Sequence, residues 1–109
     1  TLAEGAGVKD KRVAPILFPA YPNPFNNAVQ IPYRLVEGGR VALRIYDVLG
    51  QEVRRVDLGS QAAGYYYGPG RAAVWDGRDQ RRRRVGSGLY IYEMQTGGLK
   101  AHRKMIFVQ

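Results

Sequence analysis

Leu89-Tyr90-Ile91-Tyr92-Glu93-Met94-Gln95-Thr96-Gly97-Gly98 is the stretch on which the fold turns. Tyr90, Tyr92 and Met94 alternate with Leu89, Ile91, Glu93 and Gln95, and a side-chain period of two is that of an extended strand. The polar Glu93 and Gln95 share one side, so the Tyr90/Tyr92/Met94 side is predicted to face a core. Gly97-Gly98 is a two-residue hairpin signal, because both central positions of the favoured turn need positive φ. The chain therefore returns as a last strand over Leu99 to Val108. Near its end both faces of that strand carry apolar residues, and the pattern leaves its orientation open.

Working upstream, the same period recurs. Val41, Leu43 and Ile45 alternate with Ala42 and Arg44, and Asp47-Val48-Leu49-Gly50 carries Asp first and Gly fourth, the signature of a type I turn. That turn leads into residues 51–58, where Val53 and Val56 fall on opposite faces unless a bulge reconciles them. Val29, Ile31, Tyr33 and Leu35 alternate with Gln30, Pro32 and Arg34. Pro32 lacks an N–H, which predicts an outward-facing Pro32 and an edge position for this strand. Before it, Tyr21-Pro22-Asn23-Pro24-Phe25 excludes helix and reads as an extended, turn-rich segment anchored by Tyr21 and Phe25. Residues 59–70 are glycine-rich and read as loop around Tyr65-Tyr66-Tyr67. Arg71–Trp75 reads as a short strand ended by Asp76-Gly77, and Asp79 to Arg84 as a charged loop. No segment holds a 3.6-residue apolar stripe. Short strands with a turn signal every 8–12 residues suggest a sandwich or a small barrel; the edge implied by the entry prolines and Pro32 favours an all-β, antiparallel sandwich of about seven strands.

The composition allows this and excludes much else. The chain has 109 residues, 45% of them hydrophobic. One domain of that length removes roughly two-thirds of its unfolded surface from water. With no cysteine, neither a disulfide frame nor a thiolate metal site is available. No apolar run approaches the ~18 residues of a membrane helix. The net charge is +8, and it is uneven: residues 71–109 hold 9 Lys+Arg against 3 acids, much of it in Arg81-Arg82-Arg83-Arg84. Residues 1–20 read as a linker, and the chain as a piece of a longer protein.

Five of these stretches carry a resemblance. They are Tyr21 to Asn26 with Pro22, Asn23, Pro24 and Phe25; Val41 to Val53 with Asp47 and Gly50; Trp75-Asp76-Gly77-Arg78-Asp79; Ser87 to Tyr92 with Gly88, Tyr90 and Tyr92; and the Lys104-Met105-Ile106 ending. In this order, over residues 21–109, they resemble the C-terminal sorting domain of proteins exported by the type IX secretion system. The fold group is similar to the Ig-like domain of flagellar hook-capping proteins, so an Ig-like sandwich is implied. The resemblance further implies a non-catalytic signal without cofactor or metal. Its partners would be an outer-membrane export machinery, a surface sorting peptidase that cuts within residues 1–20, and an upstream cargo domain in the same chain. It also implies passage through the periplasm to the cell surface or medium, with anionic lipopolysaccharide as a further candidate partner. Lys104, Met105, Ile106, Phe107, Val108 and Gln109 would belong to the recognition surface. Two departures stand out. Arg81 to Arg84 replace an expected glycine, and Gly64 to Trp75 is several residues longer than the resemblance calls for.

Each signal also has a plainer reading. Trp75 is expected in the core; the alternative is a sugar-stacking platform with Tyr65, Tyr66 and Tyr67. Asp76 and Asp79 are expected to form turns and pair with arginine rather than hold Ca²⁺, which wants more oxygen ligands. The arginine run reads as a solvated loop, with an anionic surface as its sharper use. Nucleic acid is not expected, since no groove-entering element or stacking strip accompanies the charge. Catalysis is not expected either. His102 is the single histidine, placed on an exposed strand face, and Ser60 and Ser87 lie in no nucleophile elbow. The reading is therefore a sorting signal, with a carbohydrate-binding or hook-cap-like structural module as the alternative.

Overall fold

Residues 13–109 are described by the structure, a computed structural model. Nine strands follow one another: β1 (Ile16–Leu17), β2 (Val29–Ile31), β3 (Tyr33–Leu35), β4 (Gly39–Tyr46), β5 (Glu52–Gln61), β6 (Gly64–Tyr66), β7 (Ala73–Trp75), β8 (Gly88–Thr96) and β9 (Leu99–Phe107). All pairings between them are antiparallel. Among the described residues the count exceeds seven because Pro32 divides one extended segment into β2 and β3, and because β1 and β6 add two short strands. The all-β sandwich expectation stands.

One layer is the four-stranded sheet β5-β4-β8-β9. It is made of the longest alternating runs, and the alternation sets which side chains meet. Val41, Leu43, Ile45, Tyr90, Tyr92 and Met94 are buried, while Arg44 and Glu93 share a row on the outer face. Gly97 and Gly98 both have positive φ, 57° and 84°, and close the β8–β9 hairpin with Thr96 opposite Leu99. Between β4 and β5 the register shifts twice, leaving Val53 and Leu58 as extra residues. The bulges bring Val53, Val56 and Leu58 all against the core.

The other layer is built around residues 29–35. β1 and β6 flank β3, and β7 pairs with β2. Val29, Ile31, Tyr33 and Leu35 point inward and are almost fully buried. Pro32 departs from expectation. It is buried and lies in the middle of the layer, flanked on both sides, rather than outward at an edge. The reason is a substitute donor. Phe18 N–H donates to the Pro32 carbonyl at 3.1 Å, but Pro32 cannot return a bond to the Phe18 carbonyl. The Tyr92 hydroxyl, from the opposite sheet, donates to that carbonyl at 2.9 Å instead. The Tyr92 hydroxyl oxygen in turn accepts the Ala20 N–H at 3.0 Å. Burial raises the Tyr92 phenol above its ordinary pKa, so it remains a donor.

Three other expectations change. The boundary placed at residue 21 falls inside the packed body, because Ile16 and Leu17 pair with Arg34 and Tyr33 and because Leu17 and Ala20 are core residues. The part of the expected tether over residues 1–12 lies outside the described residues. Tyr21 is no anchor: it is exposed and its hydroxyl bonds Gln30. Residues 59–70 are not all loop, since β5 continues through Gly59 (φ 76°) to Gln61 and the chain returns as β6 beside β3.

Tyr92→Phe leaves two buried backbone groups, the Ala20 N–H and the Phe18 carbonyl, without that partner. We expect urea unfolding to show a loss of about 2–4 kcal/mol at unchanged m-value. A change within about 0.5 kcal/mol would show that the two groups find other partners.

Candidate functional site

The motifs scattered along the chain meet at one end of the sandwich. Phe25 from the proline-rich lead-in, Trp75 from β7, Tyr90 from β8 and Phe107 from β9 form one aromatic cluster. Ring centroids are 5.7 Å apart for Phe25–Trp75, 4.9 Å for Phe25–Phe107 and 5.3 Å for Trp75–Tyr90. The pairs of Trp75 with Phe25 and Tyr90 are edge-to-face, the arrangement favoured by ring quadrupoles. All four residues are buried. The polar tips are satisfied: Trp75 Nε1 donates to the Arg78 carbonyl at 2.9 Å, and the Tyr90 hydroxyl to the Gly86 carbonyl at 2.7 Å.

Gly77 explains how the cluster closes. Its φ is 72°, and a Cβ there would lie 2.8 Å from the Phe107 ring. Glycine is thus required twice, for the backbone and for the close approach. Asp76 Oδ1 accepts the Arg78 N–H, and its other oxygen meets the Arg82 guanidinium at 2.9 Å. Gly88 stands opposite Phe107 in the β8–β9 register. At the C-terminal end of β4, Asp47 Oδ1 accepts the N–H groups of Leu49 and Gln51, and Gly50 has φ 81°. Tyr46 pairs with Ile91 and Gly88 with Phe107, so this turn lies at the same end of the four-stranded sheet as the aromatic cluster.

The lead-in also reaches the terminal strand through its backbone. Pro22 and Pro24 follow cis peptide bonds and are exposed with Asn23. Asn23 Oδ1 accepts the Ile106 N–H at 2.9 Å. Phe25 N–H donates to the Ile106 carbonyl at 3.0 Å, and the Phe25 carbonyl accepts the Val108 N–H at 2.8 Å. β9 is an edge strand, and this clasp covers its last outward-facing backbone groups. Lys100, His102 and Lys104 share the outward parity of Ile106, and among the described residues their backbone groups on that side have no partner.

The six terminal residues therefore divide. Met105 and Phe107 are core residues, 1% and 0% exposed, and are no part of a surface in the folded domain. Lys104, Ile106, Val108 and Gln109 are exposed. Gln109 is tied back by its N–H to Ser87 Oγ and by its side-chain amide to the Val85 carbonyl. Ile106 stands beside Leu89 on the outer face, and both are partly exposed, giving a small apolar patch.

The arginine run is an ordered turn. Asp79 Oδ1 accepts the N–H groups of Arg81 and Arg83. These bonds, Arg83's first, hold its carboxyl below the usual range. Arg83 also pairs with Asp79, and Arg84 bonds the Asn26 carbonyl and lies 5.5 Å over the Phe107 ring. Gln80 covers the other sheet edge, giving its N–H to the Val53 carbonyl and accepting the Arg55 N–H on its side chain. Of the four arginines, Arg81 alone has no side-chain partner among the described residues. Asp76 and Asp79 spend their oxygens on N–H groups and guanidinium. The sugar-platform alternative loses Trp75, which is 1% exposed, and Tyr66, which stacks on Tyr33 at 4.6 Å. Tyr65 and Tyr67 remain exposed beside Phe18. His102 is exposed, across from Glu93.

Sequence reasoning did not find the Asn23–Ile106 bond, the Tyr92 bridge or the edge cover by Gln80. All three need the spatial neighbour rather than the local pattern.

Two stacked antiparallel sheets closed by an aromatic cluster define an Ig-like β-sandwich. Residues 37–98 match the FlgD Ig-like domain family. The match spans more than half of the chain, which belongs to that family. No curated protein sequence matches the chain. Among solved structures, dimeric latent PorU from Porphyromonas gingivalis is similar at 20% identity and a TM-score of 0.66, over 91% of this chain and 10% of that one. The chain thus spans about a tenth of PorU's length. FlgD from Xanthomonas campestris, described in connection with the hook capping essential for flagellar assembly, is similar at 21% identity and a TM-score of 0.58, over 95% of this chain and 72% of that one. PorZ of P. gingivalis, described as an essential surface component of the type IX secretion system, is similar at 16% identity and a TM-score of 0.54, over 85% and 11%. At these identities the likeness is one of fold.

Gly77→Ala is expected to cost about 2–4 kcal/mol, from a left-handed alanine plus overpacking against Phe107. Gly50→Ala, with similar φ but open space around its Cβ position, should cost only about 1 kcal/mol. Equal losses in thermal or urea unfolding would contradict the role given to the Phe107 contact.

Proposed function

We propose that the domain is a non-catalytic sorting signal that directs export of an attached cargo across the outer membrane by the type IX secretion system. The observation that carries this reading is the terminal strand. It is locked into the core by Met105 and Phe107 while presenting Lys104, Ile106, Val108 and Gln109 on an edge. A folded recognition surface needs both properties, rigidity from the core and an accessible row of groups. The fold likeness to segments of PorU and PorZ supports the same reading, because the second is named as part of that secretion system.

On this reading the cargo precedes the domain, and the peptidase-sensitive tether ends before Ile16, the first residue among those described to pair in a strand. The domain passes through the periplasm and arrives at the surface or in the medium. The export machinery meets the open backbone of Lys100 to Lys104 or the Leu89–Ile106 patch. The Pro32 strand is not available to it, being flanked on both sides. Anionic lipopolysaccharide would find Arg81 without a side-chain partner among the described residues, Arg82 and Arg83 being paired with Asp76 and Asp79 and Arg84 being held by Asn26 and Phe107. A second reading, a structural hook-cap-like module, is favoured by the family match over residues 37–98.

Deleting Lys104–Gln109 would remove Met105 and Phe107 and so unfold the sandwich, which makes surface variants more informative. A reporter bearing the full chain, expressed in a host with a type IX system, should appear outside the cell. The same fusion carrying Ile106→Asp and Val108→Asp should keep its β-sheet circular dichroism and stay in the periplasm. Failure of the unmodified fusion to leave the periplasm, or normal export of the folded double variant, would defeat the sorting role.

A further inference from the structure

The stretch from Gly64 to Trp75, longer than the resemblance requires, builds something the sorting reading does not use. With β5 it bounds a cleft of about 530 Å³ between the two layers. That volume is within the range of small-molecule sites, and the accessible lining of this cleft is more polar than apolar. Leu58, Ala72 and Ala73 give apolar lining, and Tyr33, Gln61 and Arg71 the polar groups.

Those three groups have unused capacity. Tyr33 is 2% exposed, and its hydroxyl has no hydrogen-bond partner among the described residues. Its oxygen is not fully enclosed, since among the described residues the buried side-chain polar atom without a partner is Arg44 Nε, so the Tyr33 hydroxyl stays accessible to a ligand. Burial and the neighbouring Tyr66 phenol push its pKa up to about 12, so it is a neutral O–H donor throughout the working range. Arg71 is held in place: one Nη donates to the Tyr65 carbonyl at 2.9 Å, and its guanidinium lies 5.1 Å over the Tyr66 ring. Tyr66 is itself stacked on Tyr33. No carboxylate pairs with Arg71 among the described residues, which leaves most of its five N–H donors free. Gln61 spends its amide N–H₂ on the Leu58 carbonyl, leaving its oxygen as an acceptor.

We propose that this cleft binds a small hydroxylated carboxylate of sugar-acid type. Arg71 pairs with the carboxylate, whose two oxygens match the planar guanidinium. The Tyr33 hydroxyl donates to one of them. The Gln61 oxygen accepts a ligand hydroxyl, and Leu58, Ala72 and Ala73 seat the carbon skeleton.

The test is an amide NMR titration of the full chain with sodium D-glucuronate, with D-glucose and with inorganic phosphate. Glucuronate should give saturable shifts at Leu58, Ala72 and Ala73 with a Kd on the order of 1 mM. Glucose, lacking the carboxylate, should bind at least about tenfold more weakly. Tyr33→Phe preserves the stack on Tyr66 and should weaken glucuronate about five- to tenfold. Arg71→Gln should erase the preference for glucuronate over glucose. Four outcomes would overturn the proposal: no saturable shift at these amides; the same shifts from phosphate at equal affinity, which is general anion attraction; glucose as tight as glucuronate; or unchanged glucuronate affinity in both variants.

Discussion

A proline in the middle of a sheet layer leaves a carbonyl across from it without its ladder donor. In this domain the tyrosine hydroxyl at position 92 fills that vacancy from the other sheet, and also takes the N–H that the Pro19–Ala20 irregularity turns out of the ladder. One side-chain oxygen thus couples the two layers and fixes residues 18–20. Arg103 adds a second tie through the Leu17 carbonyl at 2.8 Å. With residues 17–20 fixed, the proline-bearing segment that follows is delivered to the terminal strand, where Asn23 and Phe25 bond Ile106 and Val108. The beginning and the end of the sandwich are therefore one structural unit.

Packing reinforces the same connection. Phe107 is reached from the lead-in by Phe25, from β7 by Trp75, from β8 by Tyr90 and from the charged turn by Gly77 and Arg84. Removing so central a ring leaves a cavity, which in a core costs about 3–5 kcal/mol. Such a cost is a large share of the ~5–15 kcal/mol that stabilises a domain of this size. The last strand is thus a structural element first, and any surface it offers depends on the cluster behind it.

Much of this was legible in the residues. The period of two in Val41–Ile45 and in Tyr90–Met94, the Asp47–Gly50 turn signature and the Gly97-Gly98 pair led to four strands and their connections, because local sterics and one buried face decide them. Pro32 misled, since its usual meaning is an edge and the compensating hydroxyl is sixty residues away in sequence. β6 stayed hidden because glycine-rich residues 59–70 carry no alternation. The terminal strand could not be oriented from Met105, Ile106, Phe107 and Val108, all apolar. Its orientation follows from the hairpin register, in which Thr96 opposite Leu99 places Met105 opposite the buried Tyr90. The proline-bearing lead-in and the last strand are likewise joined by one side chain–backbone bond and two backbone–backbone bonds that no period reports.

Two sheet edges illustrate how the domain stays selective about pairing. The β5 edge is covered by Gln80, and the far part of the β9 edge by Asn23 and Phe25, so among the described residues the open length is confined to residues 100–104. Exposed edges invite further strands, and covering them is a usual defence. Amide hydrogen exchange along β9 measures this directly. The account predicts slow exchange at Ala101, Arg103, Met105 and Phe107, which face β8. It also predicts slow exchange at Ile106 and Val108, which the lead-in holds, and fast exchange at Lys100, His102 and Lys104. Exchange at Ile106 and Val108 as fast as at Lys104 would contradict the clasp between the two ends of the chain.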